Sequence, residues 1–595
     1  MNNKILTLQE IMVNENIHAT IIPTDDYHLS EYVCDYFKGR AYLSGFTGSA
    51  GVLLVLQNEA LLWTDGRYFI QAEKQLYSNV KLMRMGDDKV PSLDEYLLSK
   101  LNRNEMVAVD GRVFNFDYIT KLKEKLSKAS ILFNSTCDLV SRVWDNRPKL
   151  PCGKAFLLDE PFSGKKSSDK LKEIRKQMQM YHANIHIVTQ LDDIAWILNV
   201  RANDLPYSPV LISYLVITLD KVILFVDKNK LGDLLLEEDF KENNVLIKPY
   251  NAIYDYCDSL KKEDIVLIDT KRVNYTICHK VIEKANLIDK TNYSFLAKAI
   301  KNPTEIENTK IAHINDGIAF TKFMHYIKNN VNKHTITELD ASNYITKERK
   351  MQDGFIDLSF NPIVAYNANA AMMHYSANEN SNAVLKDEGL LLVDSGGHYL
   401  YGSTDITRTI ALGPVSDDMK LHYTTVLKSL INLSQAIFLK GCSGQNLDIL
   451  ARGPIWKLLI DYKCGTGHGI GHILNVHEGP NGFRYKIVPE RNDSAPFEEG
   501  MITTNEPGIY LEGQYGIRLE NELLCVFKSQ NEYGVFLGFE TITIAPFDKD
   551  LIDVELLTKD EINWINDYHA RVYNTLKDSL TAKEASWLET YTKAL

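Results

Sequence analysis

The chain lacks any C-x-x-C pair. Its eight cysteines are scattered singly along 595 residues, which argues against a zinc ribbon or a disulfide framework. Basic residues are in the minority, and the formal net charge of −12 is opposite to the sign a nucleic-acid footprint needs. No apolar run reaches the ~18 residues of a membrane span. The longest candidate, VLISYLVITLDKVILFV, is broken by Asp220 and Lys221 and reads as two strands and a turn. The amino terminus, MNNKILTLQEIMVNENIHAT, has no apolar signal-peptide core. The expectation is a cytoplasmic protein with neither nucleic acid nor membrane as partner.

What is present is ordinary globular material, 45% hydrophobic and 24% charged, long enough for roughly three or four domains at ~150–200 residues each. The chain also repeats itself. GVLLVLQNEALLWTDGRYF near residue 51 resembles SYLVITLDKVILFVDKNKL near 213, matching Asp65 with Asp227. VAVDGRVFNFDYITKLKEKL near 107 resembles VLIDTKRVNYTICHKVIEKA near 266, matching Asp110 with Asp269. The offsets, 162 and 159 residues, keep order and spacing. Each unit reads as a strand hairpin, a helix, a short buried strand ending in Asp, and a second helix. Two tandem α/β domains are expected over 1–153 and 154–302, with a third region over 303–595. That region opens on a helix after Pro303 with Thr304 near its cap. It turns strand-like over 385–412, and its extension from about 530 ends in helices with a capping box from Thr558 to Glu561.

The segment CGTGHGIGHILNVHEGP carries His468, His472 and His477 within ten positions. His468 and His472 have the i, i+4 spacing of a zincin helix, but Gly469 stands where that motif has glutamate. Gly467, Gly469 and Gly471 also disfavour a helix. A Gly-rich loop with incidental histidines and a metal site both remain open at this point. Four acids occupy strand-like surroundings in the same region: Asp394 in GLLLVDSGG, Asp405 in STDITRT, Glu506 in TTNEPG, and Glu520 in GIRLENELL. A carboxylate inside an apolar strand is costly unless it is paired or coordinated. One imidazole with four carboxylates suits two divalent ions sharing bridging oxygens, an arrangement used in metal-assisted hydrolysis.

HYSAN, VDSGG, TDITRT, GTGHGIG, NVHEGP, NEPG and GIRLEN follow one another in this order. Together they resemble the pita-bread metallopeptidases, and among these the long, three-domain Xaa-Pro aminopeptidase (aminopeptidase P) family. GFTGSAG and WTDGRYF in the first domain match that family too. The resemblance implies an α/β (α+β) chain: two tandem creatinase-N-like α/β domains, then a pita-bread catalytic domain with a C-terminal helical extension. It implies a hydrolase that removes an N-terminal residue preceding proline from peptides, and a homodimer. The cofactor it implies is two divalent metal ions, manganese first and zinc or cobalt as alternatives.

Carried over residue by residue, the resemblance makes Asp394, Asp405, His468, Glu506 and Glu520 the metal ligands, with Asp405 and Glu520 bridging. Glu506 is also the proton acceptor. His374 and His477 position substrate and stabilise the tetrahedral intermediate. His472 has no counterpart role, and Arg518 orients a ligand carboxylate. Cys464 departs from the family, which often has histidine at that place near the proline pocket. A thiol is a poorer hydrogen-bond donor, so the pocket's shape is in question and the metal site is not. Arg67 in WTDGRYF either reaches towards substrate or only packs the first domain. A prolidase acting on X-Pro dipeptides is the nearest rival, a methionine aminopeptidase would lack the tandem α/β domains, and a non-catalytic pita-bread binding module would not need all five ligand positions.

Overall fold

The two stretches that resemble each other in sequence form the same six-stranded sheet twice. In the computed structural model, which describes residues 3–595 apart from 237, 374, 380 and 489–492, the first sheet runs in the order Lys81–Arg84, Ala60–Thr64, Val52–Leu56, Ala19–Ile22, Met106–Ala108, Leu132–Asn134. The second runs Val245–Lys248, Val222–Phe225, Tyr214–Thr218, Ile185–Val188, Ile265–Ile268, Asn286–Asp289. In both, the inner hairpin is antiparallel and the outer strands join in parallel. The apolar run broken by Asp220 and Lys221 is the second hairpin, Tyr214–Thr218 and Val222–Phe225.

The four matched aspartates do one local job. Asp65, Asp110, Asp227 and Asp269 each accept a hydrogen bond from the backbone N–H two residues on, at 3.1, 3.0, 3.0 and 3.2 Å. This Asx turn ends the strand. Arg67 is bound to its own strand end, donating Nε and Nη2 to Asp65 at 2.8 and 2.7 Å.

Both sheets belong to one compact unit, made of Met1–Leu157, Lys166–Pro206 and Val210–Ser294. The two repeats meet across a seam built from equivalent residues. Phe116 N–H donates to Val273 O (3.2 Å), Tyr275 N–H donates to Phe114 O (2.8 Å), and the Phe116 and Tyr275 rings stack at 5.8 Å. His28 lies buried nearby, between Thr189 O and the Tyr250 hydroxyl, both at 2.7 Å. Since the carbonyl can only accept, Nδ1 carries the proton and Nε2 accepts from Tyr250. Burial lowers the pKa of this imidazole.

The second unit comprises Leu158–Lys165, Tyr207–Pro209 and Phe295–Leu595. Helix Pro303–Asn330 opens it. Its cap is Asn302, whose side chain accepts from the N–H groups of Thr304 and Glu305, both at 3.0 Å, with Pro303 in the first turn. The reading of Thr304 near the cap is thus shifted by two residues, because proline at the first helical position needs no N–H partner and leaves the preceding Asn to cap. Leu390–Ser395 pairs antiparallel with both Ile363–Tyr366 and Ile406–Ala411. A six-stranded sheet runs Ile437–Leu439, Gly534–Thr541, Asn521–Asn531, Ile502–Asn505, Gly467–Gly469, Glu478–Phe483.

Gly534–Thr541 is therefore part of the central sheet, although it lies beyond residue 530. Helix Lys559–Leu576 carries the expected Thr558–Glu561 capping box. It buries Ile565, Tyr568, Val572 and Leu576 in a core with Tyr423, Leu430 and Phe547.

Candidate metal centre

Strand pairing sets the first half of the centre. Asp394 stands opposite Thr407 in the Leu390–Ser395/Ile406–Ala411 ladder, and Asp405 directly precedes the second strand. The other half comes from the six-stranded sheet and its connections. His468 is the middle residue of Gly467–Gly469, and Glu506 directly follows Ile502–Asn505. Glu520 does not lie inside one apolar strand, as its sequence surroundings had implied. It sits between Tyr515–Arg518 and Asn521–Asn531, which belong to different sheets. Ile517, Leu519 and Leu523 are each fully buried, so the apolar pattern continues across the change of sheet.

The glycines around His468 serve close approach. A Cβ on Gly467 would lie 1.9 Å from Thr504 O, and one on Gly469 2.2 Å from Glu478 O. Only glycine lets the strands come this near, and the segment forms a strand, not a zincin helix.

Asp405, His468 and Glu520 offer ligand atoms that all lie within 4.8 Å of one another. His468 Nε2 is 3.5 Å from both Asp405 Oδ2 and Glu506 Oε1. His468 Nδ1 donates to Gly469 O at 3.1 Å, which fixes the ring with Nε2 facing the two carboxylates. Asp405 is 4% and Glu520 1% exposed. Burial first, then Asp394, Glu506 and Glu522, raises the pKa of Asp405 well above the carboxylate range. Burial, then Asp405, Glu506 and Asp394, does the same for Glu520. Asp394 Oδ1 and Asp405 Oδ1 are buried without hydrogen-bond partners. Clustered carboxylates, an imidazole nitrogen and the two orphaned oxygens of Asp394 and Asp405 fit a divalent cation site, because a cation would satisfy the buried oxygens that lack hydrogen-bond partners.

Neighbouring side chains fix the acids. Arg518 donates Nη2 to Asp394 Oδ2, Nη1 to the Tyr510 hydroxyl at 2.7 Å, and Nε to Thr407 Oγ1 at 3.2 Å. Thr407 Oγ1 in turn donates to Glu520 Oε2 at 2.7 Å. Glu522 accepts from the backbone N–H of Asp405 at 2.8 Å and faces His313 Nε2 at 3.1 Å. Thr407, Glu522, His313 and Arg408 escaped sequence reasoning. Arg408 is fully buried and donates to Glu520 O (2.6 Å) and the Tyr568 hydroxyl (3.0 Å), linking helix Lys559–Leu576 to the centre. An arginine inside the apolar run ITRTIAL was the available signal.

The His477 ring stands edge-on to His468, 4.3 Å between centroids, and its neighbour Glu478 is held by Lys301 Nζ at 2.9 Å. His472 makes structural contacts, to Phe162 O at 3.0 Å and Thr309 Oγ1 at 3.3 Å. His374 lies outside the described residues. Cys464 is half-buried near Tyr510, and burial, then Glu506, pushes its thiol up to about 12.

Comparison with known proteins gives these residues a family. The model described as metallopeptidase family M24 matches residues 307–526, and its C-terminal region matches 535–595. Creatinase/prolidase N-terminal domain models match 4–139 and 146–305. The chain is 37% identical to Xaa-Pro aminopeptidase 1 of Dictyostelium discoideum, over all of this chain and 97% of that one. It is 36% identical to aminopeptidase P2 of Arabidopsis thaliana, over 97% and 86% of the two chains. The crystal structure of an X-prolyl aminopeptidase from Caenorhabditis elegans, described as a cytosolic enzyme with a di-nuclear active site, superposes with a TM-score of 0.93 at 33% identity, covering 100% of both chains. Likeness of this degree along the whole length, centred on a buried acid–histidine cluster, places the chain in metallopeptidase family M24, among the long Xaa-Pro aminopeptidases (aminopeptidase P).

Proposed function

We propose that the chain is a dimetal aminopeptidase that hydrolyses the bond between an N-terminal residue and a penultimate proline. The observation that carries this is the buried convergence of Asp405, His468 and Glu520 within 4.8 Å, inside a chain similar along its whole length to Xaa-Pro aminopeptidases. Asp394, Asp405, His468, Glu506 and Glu520 would hold two divalent ions, for which manganese is the expected metal. Bound there, the ions would supply Lewis acidity and lower the pKa of water towards neutrality.

The chain's own residues do the rest. Glu506, whose carboxylate is 20% exposed, is open enough to take a proton from the attacking water. His477 and His374 donate hydrogen bonds to the carbonyl oxygen as it gains charge. Arg518 keeps the Asp394 carboxylate aimed. The X-Pro amide has no N–H and a fixed ring direction, so a pocket shaped to the ring selects it, with Cys464 near its wall.

The domain division 1–153, 154–302 and 303–595, a homodimer and a cytoplasmic location complete the proposal. The last two are properties of the family the chain resembles. The experiment is hydrolysis by metal-stripped protein before and after adding manganese, with an X-Pro-Y tripeptide and an X-Pro dipeptide in parallel. Manganese-dependent release of the first residue from the tripeptide, with the dipeptide nearly inert, supports the reading. Preference for the dipeptide makes the protein a prolidase, and no cleavage of either leaves a binding module.

A further inference from the structure

Glu478 is buried beside two lysines. Lys301 Nζ donates to its Oε1 at 2.9 Å, and Lys298 Nζ stands 4.0 Å from its Oε2. All three side chains are only 1–2% exposed. Such groups are costly to take out of water and are kept inside a protein only when paired.

Lys301 is itself held in place. Its N–H donates to Gly500 O at 3.0 Å, and Ile300 forms a bridge with Met501. Gly500 has a φ of +92°, and a Cβ there would lie 2.7 Å from Lys301 O. Met501 leads into strand Ile502–Asn505, which Glu506 follows. On the other side, Glu478 opens strand Glu478–Phe483 opposite Gly469, and a Cβ on Gly471 would meet Glu478 Oε2 at 2.8 Å. The loop between the two strands is closed by Gly471 N–H donating to Asn475 O at 3.0 Å. It is pinned by Ile473 N–H donating to Ser403 Oγ at 3.1 Å. The chain thus returns from His468 to His477, whose rings meet edge-on at 4.3 Å. One planar peptide bond joins His477 to Glu478, so a Glu478 that cannot turn fixes where His477 leaves the chain.

We propose that Glu478 and Lys301 are positioning residues for catalysis: their buried salt bridge holds the His477 ring in its place beside His468. The proposal rests on the substrate-binding role given to His477 above. A lysine tied by its backbone to the strand before Glu506, and by its side chain to the neighbour of His477, keeps these two groups in one frame.

The test compares Lys301→Met, Glu478→Gln, His477→Ala and the double variants of each of the first two with His477→Ala, all in full-length, metal-loaded protein. Manganese-loaded protein gives the kinetics and metal stoichiometry. Zinc-loaded protein labelled only at histidine gives the nuclear Overhauser cross-peak between the His468 and His477 ring protons, assigned by its loss in His477→Ala. Expected in either single variant are a weakened cross-peak, unchanged metal content, and a fall in kcat on the order of 10²-fold with KM little altered, as a misplaced catalytic group produces. Each double variant should be no slower than His477→Ala alone. Glu478→Gln takes the carboxylate from two buried lysines and can fold poorly. Lys301→Met leaves Glu478 beside Lys298 and keeps the test decisive. Losses that multiply in a double variant, metal loss that accounts for the fall in kcat, or full activity of Lys301→Met would overturn the proposal. An unchanged cross-peak in Lys301→Met overturns the positioning whatever the activity does. If His477→Ala is fully active, the role of His477 fails and the catalytic half of the proposal with it, while the cross-peak still decides the positioning.

Discussion

Asn115 and Asn274, 159 residues apart, occupy the same place in the two repeats and pair with each other in an antiparallel bridge. Each caps the helix that follows, accepting from Tyr118 N–H at 2.7 Å and Ile277 N–H at 3.0 Å respectively. The internal repeat thus meets itself through equivalent backbone, about an approximate twofold relation. The two sites are nevertheless unequal. Asn274 is fully buried and also donates Nδ2 to Tyr27 O at 2.8 Å. Asn115→Ala should cost about 1 kcal/mol, the usual value of a lost cap. Asn274→Ala should cost about 2–4 kcal/mol, because it also orphans a buried carbonyl. Denaturation midpoints of the two variants check the order, and equal costs would contradict it.

Arg518→Lys replaces a fork that reaches Asp394, Thr407 and Tyr510 with a single ammonium. Divalent-metal affinity should fall about 10–100-fold, the usual effect of losing a partner that orients a ligand. Calorimetric titration with manganese reads this directly, and an unchanged dissociation constant would remove Arg518 from the centre.

Metal removal should loosen the second unit. Metal at 100 times its dissociation constant stabilises the folded state by about 2.7 kcal/mol, so chelation should lower the melting temperature and re-addition restore it. Burial and neighbouring acids raise the pKa values of Asp405 and Glu520 in the metal-free protein. Both then favour the protonated form, and metal must displace those protons. Binding should release protons and tighten as pH rises. Titrations in buffers of different ionisation enthalpy measure the release.

His569 gives the fold a pH dependence of its own. Its Nε2 accepts from Phe547 N–H at 3.1 Å, and burial lowers its pKa from 6.5 to about 3. Between those values the unfolded chain binds more protons than the folded one, so stability rises with pH up to about 6.5 and is lost as pH falls towards 3. At pH 5 the loss relative to pH 7 should be about 2 kcal/mol. His569→Gln should flatten the dependence between pH 4 and 6 in thermal melts, and an unchanged slope would assign it to other groups.

Cys464 should resist alkylation. Its thiol is pushed up to about 12 by burial and Glu506, whereas Cys152 is exposed. The thiolate is the reactive form, so iodoacetamide at pH 8 should label Cys152 first and leave Cys464 largely unmodified. Mass spectrometry of the labelled peptides checks the order.

The sequence by itself determined what is local or recurs along the chain. Short apolar runs and matched aspartates at the same spacing announced both α/β repeats, because a buried strand and the turn that ends it are each written over a few residues. The Thr558 capping box was legible for the same reason. The ordered motifs carried the family and, through it, the five expected metal ligands. Only the tertiary structure decided how those acids are held. Arg518 and Asp394, His313 and Glu522, and Arg408 and Glu520 are each more than 100 residues apart in sequence, and no local period links them. Glu520 looked like part of one continuous apolar strand, but the chain changes sheets there. The seam between Asn115 and Asn274 was equally hidden. A repeat in sequence says that two units share a fold, whereas the face on which they meet is settled by which backbone groups remain to be paired once each sheet is complete.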